Sequence, residues 1–314
     1  MEKLIEIKDL YKTYDRKSKK NSHYTLRDIT LDIYKGESIG LVGESGCGKT
    51  TLGKCILQLE KISKGKLYFH GEDITDIPYK KMIPIRKNMQ MVFQNSYSSF
   101  DPYYDVRQVL MEPLESFAMA GGKDTDAVLT DILEKVGLNK DYLIRYPKEL
   151  SGGQCQRVGI ARALVTKPEF VVCDEAVSAL DYAVRDRILN LLNDLRREYG
   201  FTFLFISHDM SAVRRVCDRV VIMYLGTIVE ITSTFDKDQV RHPYTKALLA
   251  ATLGTDPRKR SDANLLLKKE EDFCAPEQGC VLQNRCPYAS EVCFRTKPEL
   301  KDCGDGNVAA CHLV

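Results

Sequence analysis

The chain carries almost no excess charge: 46 Lys and Arg against 44 Asp and Glu leave +2 at pH 7. A nucleic-acid binder more often shows a strong basic excess, so no nucleic-acid partner is expected. It also lacks any apolar run near the about 20 residues that a membrane span needs. The N-terminus, MEKLIEIKDL, has no long apolar stretch of the kind a secretory leader carries. Internal repeats, low-complexity tracts and heptad arrays are absent, which excludes solenoids and coiled-coil arms. These absences lead to the expectation of a cytoplasmic protein that reaches a membrane only through a partner.

What is present is a 314-residue chain, 44% apolar and 29% charged, enough for one large domain and an appendage. The eleven cysteines are unevenly spread. Cys47, Cys55, Cys155, Cys173 and Cys217 are scattered, as small reduced core residues are. Cys274, Cys280, Cys286, Cys293, Cys303 and Cys311 crowd into the C-terminal tail, and such a cluster in a cytosolic chain reads as metal binding before disulfides.

Strand patterns occur at IEIKDL, TLDIY and SIGLV, then at FVVCD (170–174), FTFLFIS (201–207) and RVVIM (219–223). A helix is expected from Lys49 to Leu59 and another from Val184 to Tyr199. Strand, helix and strand in that order imply parallel pairing by a right-handed crossover. From about 97 to 165 the apolar spacing is helical, so the expected fold is an α/β core with a helical insertion. The basic segment Asp15–Ser22 reads as a solvated loop, and Thr255–Asp272 as a charged linker.

Between SIGLV and the first helix lies GESGCGKT, Gly43 to Thr50, which matches G-x-x-x-x-G-K-[ST] in the context its mechanism requires. Gly43, Gly46 and Gly48 let the backbone of Glu44, Ser45 and Cys47 curl so that N–H groups face phosphate oxygens. Lys49 can reach the outer phosphates, the Thr50 hydroxyl can hold Mg²⁺, and Thr51 continues the first turn. The helix dipole adds positive potential there. FVVCDE ends in adjacent carboxylates: Asp174 suits a Mg²⁺ ligand, and Glu175 suits a base that polarises water.

LSGGQ follows, with Ser151, Gly152, Gly153 and Gln154 opening a helix twenty residues before Asp174. With the phosphate loop, this resembles the signature of ABC ATPases. The resemblance implies a P-loop NTPase core of the ABC type, in which the signature faces the nucleotide of a second subunit. It also implies roles for Gln94 as a metal and water contact, Asp181 in the dimer loop, and His208 as the γ-phosphate switch. Tyr14 in LYKTYD could stack on adenine or pack against the sheet. The chain departs from the family at Ala176, where proline is usual, and at Cys155, where glutamine is common. Neither change removes a group needed for chemistry.

The segment RHPYTKALLAAT (241–252) and the cysteine tail resemble oligopeptide/dipeptide permease ATPases, specifically the second ATPase type. This implies a cassette over 1–235, with its helical subdomain near 97–165, and a small cysteine-rich extension over 236–314. It implies a peptide importer at the cytoplasmic face of the membrane, with a partner ATPase, two permease subunits and an extracytoplasmic solute-binding protein. Resemblance to the second type favours a heterodimer, with a homodimer still open. Importers of nickel or metal chelates share the architecture, and a non-transport ABC ATPase is a further alternative. Cys280, Cys286, Cys293 and Cys311 fit a 4Fe-4S cluster, with Zn²⁺ as the alternative; the resemblance favours the cluster. Nucleotide binding is expected to be independent of this tail.

Overall fold

The computed structural model describes residues 2–14, 24–120, 125–178, 180–236, 238–252, 267, 275–304 and 306–314. The basic segment Asp15–Ser22, most of the charged linker and Cys274 lie outside the described residues. In chain order the first half holds β1 (Lys3–Thr13), β2 (Tyr24–Tyr34), β3 (Ser38–Val42), α1 (Lys49–Ile56), β4 (Lys64–Phe69), β5 (Glu72–Asp73), α2 (Tyr79–Asn88) and β6 (Met89–Val92). Then come α3 (Val106–Ser116), α4 (Thr125–Lys135), α5 (Gly152–Leu164), β7 (Phe170–Asp174), α6 (Tyr182–Tyr199) and β8 (Thr202–Ser207). The last part holds α7 (Met210–Val216), β9 (Arg219–Tyr224), β10 (Thr227–Thr232), α8 (Pro243–Thr252), α9 (Glu291–Arg295), β11 (Lys301–Asp302) and β12 (Val308–Ala309).

The chain forms two compact units. The first comprises Asp76–Ile206, Tyr34–Ser38 and the stretch up to Leu4. Its centre is three parallel strands, with Met91 of β6 opposite Val172 of β7 and Val172 opposite Leu204 of β8. Every residue of β7 and β8 is buried, as strands covered on both faces require. The crossover helix α6 buries Ile188, Leu189, Leu192 and Leu195, one apolar stripe at helical spacing. Asp181 caps its start and Gly200, at φ 69, ends it. Helices α3, α4 and α5 are the expected insertion. A capping box opens α3: Asp105 Oδ1 accepts from Gln108 N–H at 2.8 Å, and Gln108 Oε1 accepts from Asp105 N–H at 3.0 Å.

The second unit comprises Ile5–Ile33, Ile39–Thr75 and Ser207–Val314. One of its sheets has the order β2-β1-β4-β5, with β4 antiparallel to both β1 and β5. In the other, β3 runs parallel to β9, with Leu41 opposite Val221, and β10 pairs antiparallel with β9. The cysteine-bearing tail adds to this sheet: β12 pairs with β10, Glu230 opposite Ala309, and β11 pairs with β12. Helix α1 stops at Ile56 rather than Leu59, because Gln58 takes φ 53 and leaves the helical region. A distinct cysteine-rich domain is not delimited among the described residues, since the tail groups with the phosphate loop in the second unit. The architecture is α/β with a helical insertion.

Candidate nucleotide site

In the second unit, the wholly buried β3 delivers the chain into the glycine loop. A Cβ at Gly43 would meet Met223 O at 2.2 Å and Cys47 Sγ at 2.7 Å, so only glycine fits. Gly46 and Gly48 take φ 81 and 101, and Gly48 caps α1. A Cβ at Gly46 would face open space, so the crest of the loop is unobstructed. Lys49 is buried, and its ammonium donates to Gly43 O at 2.8 Å and Glu44 O at 2.9 Å. It lies 3.9 Å from Cys47 Sγ. Burial pushes the Cys47 thiol pKa up, so this sulfur is kept as a neutral filler beneath the loop. Ser45 is exposed, and Thr50 and Thr51 are half-buried in the first turn of α1.

His208 is exposed directly after β8, where Asp209 turns the chain by capping α7. Tyr14 is 56% exposed, with Lys12 Nζ 4.5 Å over its ring centroid. That exposure disfavours packing against the sheet and leaves a ring face already paired with a cation.

In the first unit, β7 ends at Asp174, which is buried, and Glu175, which is half-buried, follows it. Glu175 holds φ 45, an uncommon conformation for a residue with a Cβ. Its N–H donates to Ile206 O at 3.0 Å, so the neighbouring strand fixes the turn. Gln94 Nε2 donates to Glu175 Oε2 at 2.9 Å, joining two residues expected to serve one site.

Ser151 caps α5 reciprocally with Gln154: Ser151 Oγ accepts from Gln154 N–H at 3.3 Å, and Gln154 Oε1 accepts from Ser151 N–H at 2.8 Å. Gln154 Nε2 is held by Tyr142 Oη at 2.9 Å. Gly152 faces open space, whereas a Cβ at Gly153 would strike Val184 Cγ1 at 2.6 Å. The two glycines therefore differ: Gly152 leaves the helix start uncovered and Gly153 permits the approach of α6. Asp181 is exposed and accepts from Val184 N–H at 3.0 Å.

Contacts that the sequence did not single out join the segment after Gln94 to α5 within the first unit. Buried Ser96 donates to Gln156 Oε1 at 3.0 Å, and Gly159 leaves room for it, because a Cβ there would meet Ser96 Oγ at 2.3 Å. Arg162 donates to Ser99 O at 2.9 Å and Ser99 Oγ at 2.8 Å, with its guanidinium 4.9 Å from the Phe100 ring centroid. The segment after Gln94 is thereby fastened to the helix that begins with the signature. The glycine at 159, inside a helix, was the available signal.

In the tail, Cys280, Cys286, Cys293 and Cys311 are buried and none is in a disulfide. Burial pushes the Cys280 thiol up to about 11, and the thiols of Cys293, Cys311 and Cys286 act in the same direction. Burial likewise raises Cys311, with Cys286 and Cys293 adding to it. Cys303 stands apart, half-buried, donating to Lys301 O. Among the described residues, however, no group of three or more His, Cys, Asp or Glu side chains is arranged as a metal site. Thr50 and Asp174, both expected near Mg²⁺, fall in different units.

A strand–glycine loop–helix unit, a strand ending in Asp-Glu and an LSGGQ helix cap define an ABC-type ATP-binding cassette. Residues 26–178 match the family model described as ABC transporter, and residues 232–293 match that described as Oligopeptide/dipeptide transporter, C-terminal region. The oligopeptide transport ATP-binding protein AppF of Bacillus subtilis (strain 168) is 39% identical over 323 residues, covering 99% of this chain and 98% of AppF. The dimeric, post-hydrolysis ATP-binding cassette MJ0796, bound to ADP and Pi, superposes with TM-score 0.67 and 27% identity, over 73% of this chain and 98% of that one. The cbiO1 protein from Clostridium perfringens, part of the ABC transporter complex cbiONQ, gives TM-score 0.66 at 26% identity, over 74% and 89% of the two chains. The chain belongs to the ATP-binding subunits of ABC transporters and is homologous to the oligopeptide/dipeptide permease ATPases. It is an ABC-type ATPase. Among the described residues, no helix is long and apolar enough to cross a membrane.

Proposed function

We propose that this chain is one of two ATPase subunits that drive a peptide importer from the cytoplasmic face of the membrane. The observation that carries the chemistry is the Gln94–Glu175 hydrogen bond at the head of β7, on a backbone held at positive φ. In this reading the loop Gly43–Thr51 binds the ATP phosphates, Lys49 neutralises the outer ones, and Tyr14 offers its exposed ring to adenine. Glu175 polarises the attacking water, Gln94 orients Glu175, and His208 donates to the γ-phosphate. Thr50, Asp174 and Gln94 supply hard oxygen ligands of the kind Mg²⁺ takes, and the ion when bound neutralises phosphate charge.

Ser151, Gly152, Gly153 and Gln154 serve the nucleotide of the opposing subunit. The uncovered start of α5 supports this, because helix N-termini bind anions through their unsatisfied N–H groups. Asp181 lies at the same dimer contact. The ATP sandwich favours the closed dimer over the open one, and that difference in affinity is what moves the permeases. The partner ATPase, two permease subunits and a solute-binding protein follow from homology to peptide permeases. The match of residues 232–293 to the transporter C-terminal region supports reading a 1–235 cassette and a cysteine-rich 236–314 extension.

Four buried, unbridged thiols support 4Fe-4S ligation by Cys280, Cys286, Cys293 and Cys311, with Zn²⁺ the second choice. Such a cluster would chiefly stabilise the tail. The transport reading is tested by reconstituting the complex in vesicles and measuring ATPase stimulation by the solute-binding protein loaded with a di- or oligopeptide. Stimulation by nickel or a metal chelate, and none by peptide, would replace the peptide assignment.

A further inference from the structure

We propose that Arg285, in the cysteine-bearing tail, is a positioning residue of the nucleotide site that neutralises and fixes Glu44 of the phosphate loop. The inference rests on reading Gly43–Thr51 as that site. Arg285 Nη1 reaches both carboxylate oxygens of Glu44, at 2.9 and 3.1 Å, with side-chain exposures of 16% and 36%. Two buried tyrosines back the pair. Tyr224 Oη accepts from Arg285 Nη1 at 3.3 Å, and its ring packs 4.8 Å from that of Tyr244. Tyr244 Oη in turn accepts from Glu44 N–H at 3.0 Å. Both the carboxylate and the amide of Glu44 are thus held by residues from beyond 220.

The tail's own folding sets the guanidinium. Arg285 N–H and Cys286 N–H both donate to Leu282 O, at 3.0 and 2.8 Å, forming the turn from which the side chain projects. The tail is pinned at two further points. Arg27 Nη1 donates to Pro276 O at 3.1 Å, and Lys297 pairs with Asp28 at 2.6 Å. The expected independence of tail and phosphate loop is therefore not found.

The consequence is electrostatic. Glu44 places a carboxylate in a loop whose ligand is a polyanion, and partial burial limits screening of that repulsion. Arg285 cancels the charge and, by bridging both oxygens, keeps the carboxylate turned toward the tail. Its removal leaves an uncompensated anion beside the phosphates. The penalty grows with ligand charge, so ATP is affected more than ADP.

The experiment measures binding of a fluorescent ATP analogue to the full chain at low and high salt, with thermal melting as the folding check. The variants are Arg285→Ala, Glu44→Gln and the pair combined, with Lys49→Ala as reference. Arg285→Ala should weaken ATP about tenfold at low salt, ADP less, and both less at high salt. Adding Glu44→Gln to it should restore affinity to within about threefold of wild type, a rescue that a general folding defect would not allow. Glu44→Gln alone should tighten ATP, because the arginine is then uncompensated; this arm stands even if Arg285→Ala does not fold. Unchanged ATP affinity in Arg285→Ala, no rescue in the pair, or unchanged or weaker binding in Glu44→Gln overturns the proposal. Full ATP affinity in Lys49→Ala would instead overturn the reading of the loop itself.

Discussion

Glu175 combines a half-buried carboxylate, a φ of 45 and a hydrogen bond from Gln94. Such backbone strain persists only when neighbours over-determine it, and here the Ile206 carbonyl does so. Because the amide of glutamine keeps the shape but cannot take a proton, Glu175→Gln should lower turnover about 10²- to 10⁴-fold. The affinity for ATP should stay within about twofold, since Lys49 and the loop amides are untouched. Nucleotide titration and single-turnover hydrolysis separate the two; a matching loss of affinity would refute the base assignment. The identity of Glu175 was legible in FVVCDE, but its left-handed backbone was not, because only the position of β8 creates it.

His242 gives a second prediction at this scale. It is buried, its Nδ1 accepts from Tyr244 N–H at 3.2 Å, and burial pushes its pKa down to about 4. The unfolded chain takes up the proton near 6.5 and the folded chain does not. The stability that neutral His242 supports is therefore complete above pH 6.5 and is lost as pH falls toward 4. Buried Glu230 accepts from the N–H of Arg241 and of His242, and burial shifts its pKa upward, which opposes this trend. The comparison must be with His242→Gln rather than wild type alone. Unfolding free energies from urea titrations should fall less steeply from pH 6.5 to 4 in the variant, by a difference of at most about 3 kcal/mol. Parallel slopes would show that His242 is not the titrating group.

At the scale of elements, strands and long helices were legible and their attachments were not. Apolar runs and helical spacing announced β3, β7, β8, β9 and α6, since both are local properties. The cysteine tail announced its thiols but not its docking. Pairs such as Arg285–Glu44, 241 residues apart, leave no periodic trace in a single sequence. Two elements give sharp tests. Gly153→Ala should cost about 1–3 kcal/mol of stability by overpacking, because its Cβ meets Val184 Cγ1, and Val184→Ala should recover much of it. Additive losses in the double variant would deny the contact. For the tail, anaerobically purified protein should be brown, with about four irons per chain if four thiolates hold one cubane. Serine at Cys280, Cys286, Cys293 or Cys311 should remove the colour, and serine at Cys274 or Cys303 should not. One zinc and no iron under iron-supplied anaerobic expression would leave a structural zinc site instead.

For the whole molecule, the sequence carried the ATPase class, and it offered candidate site residues because each motif is contiguous, while assembly depends on a surface that no single motif encodes. The start of α5 is the part of that surface open to test. Ser151 is exposed, its hydroxyl caps its own helix, and a Cβ at the adjacent Gly152 would meet nothing within 4 Å. A site for another subunit's γ-phosphate should look like this: donors fixed in place, with open space beside Gly152 among the described residues. Arginine at position 151 would fill that space and remove the cap, yet leave the subunit's own phosphate loop unchanged. Ser151→Arg should therefore keep ATP affinity within about threefold of wild type, a shift under about 1 kcal/mol. It should also abolish the ATP-dependent dimer that Glu175→Gln accumulates with its partner subunit. Size exclusion with ATP, on Glu175→Gln with and without Ser151→Arg, reads this directly. If Ser151→Arg loses ATP as completely as Lys49→Ala, then the signature serves its own subunit's nucleotide and the cross-subunit arrangement fails. If the dimer still forms, Ser151 does not lie at the closing surface.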